Sequence, residues 1–382
     1  MPTGHPRTPA RPRLLAPGLF ALALVSLTAC NVEPTPVVDP RGQSLEQPAP
    51  SATAPAPATA SAPATAAHAG PQVLASGLQT PWGLAFLPGG DALISERDTA
   101  RVLRVPAAGG EPVEVTRIVA TRPDGEGGLL GLAVSPDFGT DQLIYAYVTA
   151  AEDNRIVRFR LDRPDEVTPV LTGIPKGRVH NGGRLAFGPD GLLYAGTGDT
   201  GDTSLSQDSR SLGGKVLRMT PEGEPAEAAG SLVFTRGHRN VQGLAFDEVG
   251  RLFATEFGQD TFDEVNELVD GGNYGWPQVE GSGTGGGRFT APLLTWDPSQ
   301  ASPSGAAVTG GNLYVAALRG QRLWQVALDG DAEPEPMLQG EYGRLRTVAT
   351  AADGALWVLT SNTDGRGEPS GDDDRLLRVT VS

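Results

Sequence analysis

The stretch 243–258, GLAFDEVGRLFATEFG, decides how the chain is read. An apolar run, a short polar turn and a second apolar run make a hairpin of two short strands. The same pattern returns upstream as GLAFLPGGDALISER from Gly83, GLAVSPDFGTDQLIYAYV from Gly131 and RLAFGPDGLLYAGTGD from Arg184. Looser copies follow downstream, GAAVTGGNLYVAAL from Gly305 and RTVATAADGALWVLTSN from Arg346. The residue after each leading Gly or Arg falls at 84, 132, 185, 244, 306 and 347, so successive copies lie 41 to 62 residues apart. That is the spacing of propeller blades with loop insertions. Six copies predict an all-β, six-bladed β-propeller of four-stranded antiparallel blades around a central channel. A pair of β-sandwiches would need a domain break after Gly70 and Ig-like spacing, and the sequence has neither. The first strand, 72–76, is expected to pair with the last, 375–381, and so close the ring.

Composition supports the same class. With 51 Gly and 33 Pro among 382 residues and few aromatics, many short strands joined by tight turns are favoured over a helical bundle. The formal charge is −15, and the first 30 residues carry Arg7, Arg11 and Arg13 with no acid, so the remainder is more acidic still. Such a surface repels phosphate backbones and argues against nucleic acid as a partner.

Residues 1–30 read as a targeting segment, basic first and then apolar over 14–27, a run too short to span a bilayer. It ends in Leu27-Thr28-Ala29-Cys30, which resembles a bacterial lipobox; cleavage at a plain Ala-x-Ala site is the alternative. Cys30 is the only cysteine. The expectation is an exported lipoprotein held to the cell envelope, periplasmic or outer face, with its one membrane contact at Cys30. Disulfides, thiolate metal sites and covalent c-type haem are excluded for the mature chain. Residues 31–70 are rich in Pro, Ala, Thr and Ser and read as an extended tether, leaving 71–382 as the propeller.

The chemistry is sought in loops at the channel mouth. His5 and His68 lie outside the propeller, leaving His180 and His238. His180 sits in RVHNGGRLAF, just before an inner strand, where an imidazole of ordinary pKa near 6.5 can take a proton from an alcohol; a structural histidine is the plain alternative. His238, Arg239, Asn240 and Gln242 share one loop, Arg344 and Arg346 another, and Arg319 follows an outer strand. Arginines from several blades at one mouth suit a small polyanion, though scattered surface arginines give the same sequence. After Glu256, an acidic, glycine-rich loop with Gly258, Asp263, Glu264 and Tyr274 offers oxygens for a hard cation such as calcium, or forms an ordinary surface hairpin.

Five motifs, VHNGGRLAFGPDGLLY, GHRNVQGLAF, DEVNELVDGGNYGWP, GEGGLLGLAVSPDF and GRLRTVATAADGALWVLTSNTDGRG, resemble the soluble quinoprotein glucose dehydrogenase and aldose sugar dehydrogenase family, over about 310 residues. The resemblance implies pyrroloquinoline quinone (PQQ) and Ca²⁺ at the mouth. The implied reaction oxidises an aldose at C1 to its lactone and passes electrons to an external acceptor, a quinone or a cytochrome. It places His180 on the catalytic base and Arg239 on the residue that polarises the quinone C5 carbonyl. Asn240, Gln242, Arg319, Arg344 and Arg346 fall on the cofactor-binding side. Backbone oxygens of Gly258 and Gln259 match the calcium that clamps the quinone, and Glu264 with Tyr274 a second calcium site.

Some positions depart from the pattern. Val179 stands where one branch has an aspartate before the base, so the group that orients His180 must come from elsewhere. Glu126 replaces a sugar-contacting glutamine, Gln259 a proline, and Phe257 a polar residue near the quinone. These departures point to the broad aldose dehydrogenase branch. Two other readings remain open: a calcium-dependent lactonase-type hydrolase, and a non-catalytic carbohydrate-binding propeller. The hydrolase needs acidic ligands gathered at the channel, where Glu126 is the only carboxylate the sequence places.

Overall fold

The computed structural model describes residues 70–226, 230–330 and 333–381. The targeting segment, Cys30 and all but the last residue of the tether lie outside the described residues. The strands form six sheets of four, each an antiparallel blade, as the repeats require. The inner strands are Pro81–Phe86, Leu129–Val134, Leu185–Phe187, Val241–Phe246, Pro303–Thr309 and Leu345–Thr350. Five blades are built from four consecutive strands. In the sixth, Gln72–Ala75 supplies the outermost strand, antiparallel to Leu376–Val379, so the two ends of the propeller close the ring by hydrogen bonds.

The apolar runs have a physical reason in this arrangement. Side chains alternate between the two faces of a strand, and both faces of a blade are covered by neighbouring blades. In Leu143–Thr149, Tyr145 and Tyr147 pack toward the third blade, with Leu185, Leu193 and Leu217. Ile144, Ala146 and Val148 pack toward the first, with Leu93, Val102 and Ile118. Six apolar clusters result among the described residues, one at each blade interface.

Near the axis the inner strands approach backbone to backbone, which explains the recurrent leading glycine. A Cβ at Gly131 would lie 2.3 Å from the carbonyl oxygen of Gly183, and one at Gly243 would lie 2.4 Å from that of Ser304. No side-chain rotation relieves such a contact.

Antiparallel pairing also puts the start of each inner strand beside the end of the second, as in Val241 with Glu256 and Leu345 with Thr360. The loop entering a blade and the loop leaving its second strand therefore open at the same mouth. In the third blade the second of these loops, 197–214, is anchored by buried Lys215. Its Nζ donates to the carbonyls of Leu205, Ser206 and Gly213 at 2.6, 3.1 and 2.7 Å.

Substituting Gly131→Ala is expected to destabilise the protein by about 1–3 kcal/mol in a urea melt, because backbone must move. Gly139→Ala, whose new methyl meets nothing within 4 Å, serves as the control and is expected to leave the midpoint unchanged or slightly raised.

Candidate active site

The mouth holds a cavity of about 340 Å³ lined by Trp82, Arg97, Glu126, Arg178, Val179, Gln242, Phe257, Leu318, Arg346 and Asp364–Arg366, among others. His180 directly follows cavity-lining Val179 and has a backbone φ of +53°. For a residue with a β-carbon this left-handed conformation is uncommon and is held only by its surroundings. Here the His180 amide donates to Glu126 Oε2 at 2.9 Å.

The His180 ring is oriented by Asp199, whose Oδ1 lies 2.7 Å from Nδ1. Asp199 is fully buried and its Oδ2 accepts the Trp276 indole N–H at 2.8 Å. Burial alone would raise the Asp199 pKa, but the hydrogen bonds from His180, the Gly201 amide and Trp276 outweigh it and keep the carboxyl below its ordinary value. An ionised acceptor at Nδ1 fixes the proton there and leaves Nε2 with the free lone pair. Asp199 fills the role that Val179 leaves open.

Arg239 is nearly buried, 5.6 Å above the Trp276 ring. Its Nε and one terminal nitrogen donate to Gln259 Oε1 at 3.1 and 2.7 Å, and the other to the Phe257 carbonyl at 3.3 Å. Burial lowers its pKa, and among the described residues no carboxylate forms a salt bridge with it. Gln259 thus grips Arg239 with its side chain. Phe257 lines the cavity as an apolar wall.

Neighbouring His238, which shares the loop of Arg239, Asn240 and Gln242, is fully buried. It lies between Glu256 Oε1 and Thr235 Oγ1, each 2.8 Å away, and stacks on Tyr274. It shapes the loop and does not face the cavity.

Asn240 accepts the Gly182 amide at 3.0 Å, while its own side-chain nitrogen is buried without a partner, a donor left for a ligand. Gln242 lines the cavity and accepts from Ser304 at 3.0 Å. Arg344 and Arg346 are both buried and both bound to Asp364. Arg184, stacked 4.3 Å over Trp82, donates to the Gln242 carbonyl and to Thr347 Oγ1. Burial, then the charge of Arg346, push its pKa down to about 9. Arg319 departs from the sequence reading: it follows the second strand of the fifth blade, is exposed, and does not line the cavity, although adjacent Leu318 does.

Residues suited to a cation lie beside Arg239. One oxygen of Glu280 accepts the amides of Gln259, Asp260, Thr261 and Phe262 at 2.7 to 3.1 Å. Because each planar peptide points its carbonyl opposite to its N–H, the carbonyls of Gly258 and Gln259 turn away from Glu280. Neither accepts a hydrogen bond among the described residues. Both are therefore open to a hard cation.

Below them, Glu256 and Glu264 share the amide nitrogen of Asn266, whose buried oxygen has no partner. Burial, then the charge of Glu256, push the Glu264 pKa up to about 8. The Tyr274 hydroxyl does not join this group, since it donates to the Glu267 carbonyl at 2.6 Å. Asp263 braces the backbone, accepting the amides of Gly258 and Ser302, and burial pushes its pKa up to about 6. Among the described residues no three carboxylate or histidine side chains cluster as a metal site.

The sequence reading missed Asp199, Asp364 and Arg97, which all come from loops leaving the second strand of a blade. That position was itself the available signal, because such loops share the mouth. It also missed a second carboxylate at the cavity, since Asp364 lines it together with Glu126.

The chain is similar to known proteins over most of the propeller. The chain is 54% identical to the PQQ-bound form of aldose sugar dehydrogenase from Streptomyces coelicolor, with a TM-score of 0.78 over 81% of this chain and 97% of that one. It is 27% identical to aldose sugar dehydrogenase YliI of Escherichia coli, over 77% of this chain and 90% of that protein. To quinoprotein glucose dehydrogenase B of Acinetobacter calcoaceticus it is 32% identical over 55% of this chain, spanning about half (52%) of that relative's length. The family model described as Glucose / Sorbosone dehydrogenase matches residues 78–378, nearly the whole propeller, and the chain belongs to that family.

Proposed function

We propose that this chain is a PQQ- and Ca²⁺-dependent dehydrogenase that oxidises aldose sugars at C1 to the lactone and passes the electrons to an external quinone or cytochrome. The observation that carries this reading is the His180–Asp199 pair beside a cavity walled by arginines. PQQ, when bound, supplies the two-electron acceptor for the hydride leaving C1.

The chain's own residues do the rest. His180 Nε2 takes the C1 hydroxyl proton, and ionised Asp199 stabilises the imidazolium that forms. Arg239, held by the neutral oxygens of Gln259 and Phe257, keeps an uncancelled positive charge for oxygen that becomes anionic during the reaction. Arg344 and Arg346 offer cationic N–H groups, and Asn240 an unpartnered donor, to the carboxylates of the cofactor. The carbonyls of Gly258 and Gln259 would hold the calcium beside it, with Glu264 and Glu256 suited to a second cation. Glu126, which lines the cavity and is engaged by Arg366 and the His180 amide, would meet the sugar. At the level of the cell, residues 1–30 and Cys30 support export and a lipid anchor at the envelope.

Protein stripped of cofactor and reconstituted with PQQ and Ca²⁺ should reduce a dye with glucose or another aldose from a sugar panel. His180→Ala should lower kcat by about 10²–10⁴-fold. Dye reduction that persists undiminished without quinone contradicts the proposal. Asp199→Asn should lower kcat by up to about 10⁴-fold with little change in KM, because an amide presents a donor to Nδ1 and favours the wrong tautomer. Treatment with EGTA should release bound PQQ and lower the thermal midpoint, and added Ca²⁺ should restore both. A midpoint that does not respond to Ca²⁺ argues against the cation sites.

A further inference from the structure

Arg344 and Arg346 flank the start of the innermost strand of the sixth blade. Their guanidinium groups converge on a single oxygen, Asp364 Oδ2, at 2.9 and 3.1 Å, and the Ser361 hydroxyl joins them at 3.2 Å. The other oxygen, Oδ1, accepts the backbone amide of Arg366 at 2.9 Å. The Asp364 side chain is 2% exposed. Burial would raise its pKa, but Arg346 and Arg344 outweigh that and keep it ionised.

The same short strap reaches across the mouth. Arg366 pairs with Glu126 Oε1 at 2.9 Å, and the other Glu126 oxygen receives the His180 amide. Between the two charged residues lies Gly365 at φ +84°, a backbone state open to glycine. Asp364, Gly365 and Arg366 all line the cavity.

Two buried guanidinium groups sharing one carboxylate leave an excess positive charge, to which buried Arg184 adds. The site therefore favours an anion with several carboxylates. Yet the place where Arg344 and Arg346 would recognise one of them is already taken by the chain's own Asp364. A second carboxylate approaching those N–H groups would lie close to ionised Asp364 and be repelled by it.

We propose that Asp364 is a built-in competitor, standing in for a ligand carboxylate between Arg344 and Arg346 and displaced when PQQ binds, with the Arg366–Glu126 pair latching the strap that carries it. This rests on the PQQ reading above. It assigns the Asp364–Arg366 strap to the control of cofactor affinity and entry.

The test is direct binding of PQQ to the calcium-saturated, quinone-free protein, followed by quenching of tryptophan fluorescence at equilibrium and in stopped flow. Asp364→Asn removes the competing charge and is expected to tighten Kd by about tenfold. Arg366→Gln unlatches the strap and is expected to raise the association rate several-fold. Loss of a cation at the mouth would by itself slow an anion's arrival, so acceleration can come only from release of the latch. Equal or weaker binding by Asp364→Asn, or equal or slower association by Arg366→Gln, overturns the proposal. Should Asp364→Asn fail to fold, Arg366→Gln decides alone, since that side chain is 59% exposed. Wild-type protein that shows no saturable quenching overturns the PQQ reading and this inference together; normal wild-type binding with the wrong variant response overturns this inference alone.

Discussion

Every sheet in this molecule has to bury both of its faces, and it does so only against the sheets on either side. That constraint accounts for the apolar runs, for the six interface clusters and for the need to close the ring. A blade left without a neighbour would expose a full apolar face, so pairing Gln72–Ala75 with Leu376–Val379 protects every interface at once. Close approach near the axis follows, and with it the glycines at 83, 131, 243 and 305 that allow inner strands to touch.

The same geometry gathers charge. Loops entering a blade and loops leaving its second strand open at one mouth, so residues far apart in the chain meet there. Arg366 and Glu126 are 240 residues apart in sequence and 2.9 Å apart in space. The result is a polar, cation-rich pocket set on a rigid apolar scaffold, where buried arginines are held mostly by neutral oxygens and one shared carboxylate. Such charges stay strong because little water screens them, which suits both the binding of a polyanion and the stabilisation of charge that develops during oxidation.

Legibility differed by residue. The blades were readable because their period is written in residues whose burial is local: GLAF, RLAF and their partners pack wherever a blade forms. His180, Arg239, Asn240 and Arg344 stand out in the sequence because they precede inner strands within repeated motifs, and Arg346 because it is the second residue of one. Asp199 was not singled out, although it lies in the third repeat itself, because nothing in TGD says that its carboxylate turns toward a histidine 19 residues back. His238 misled for the opposite reason: it sits in the right loop, but stacking on Tyr274 and pairing with Glu256 turn it inward. Arg319 ends exposed, next to cavity-lining Leu318, a placement that its position after a strand does not reveal.

By itself the sequence determined the fold class, the number of blades, the closing strand and the general chemistry of the mouth, because strand periodicity and turn chemistry are short-range properties. Only the tertiary structure decided which side chains meet across blades. It set Asp199 on His180, Gln259 on Arg239 and Asp364 between Arg344 and Arg346. Those contacts depend on the angle at which neighbouring loops converge and on rotamers chosen by burial, and neither is encoded in the spacing of residues along a single blade.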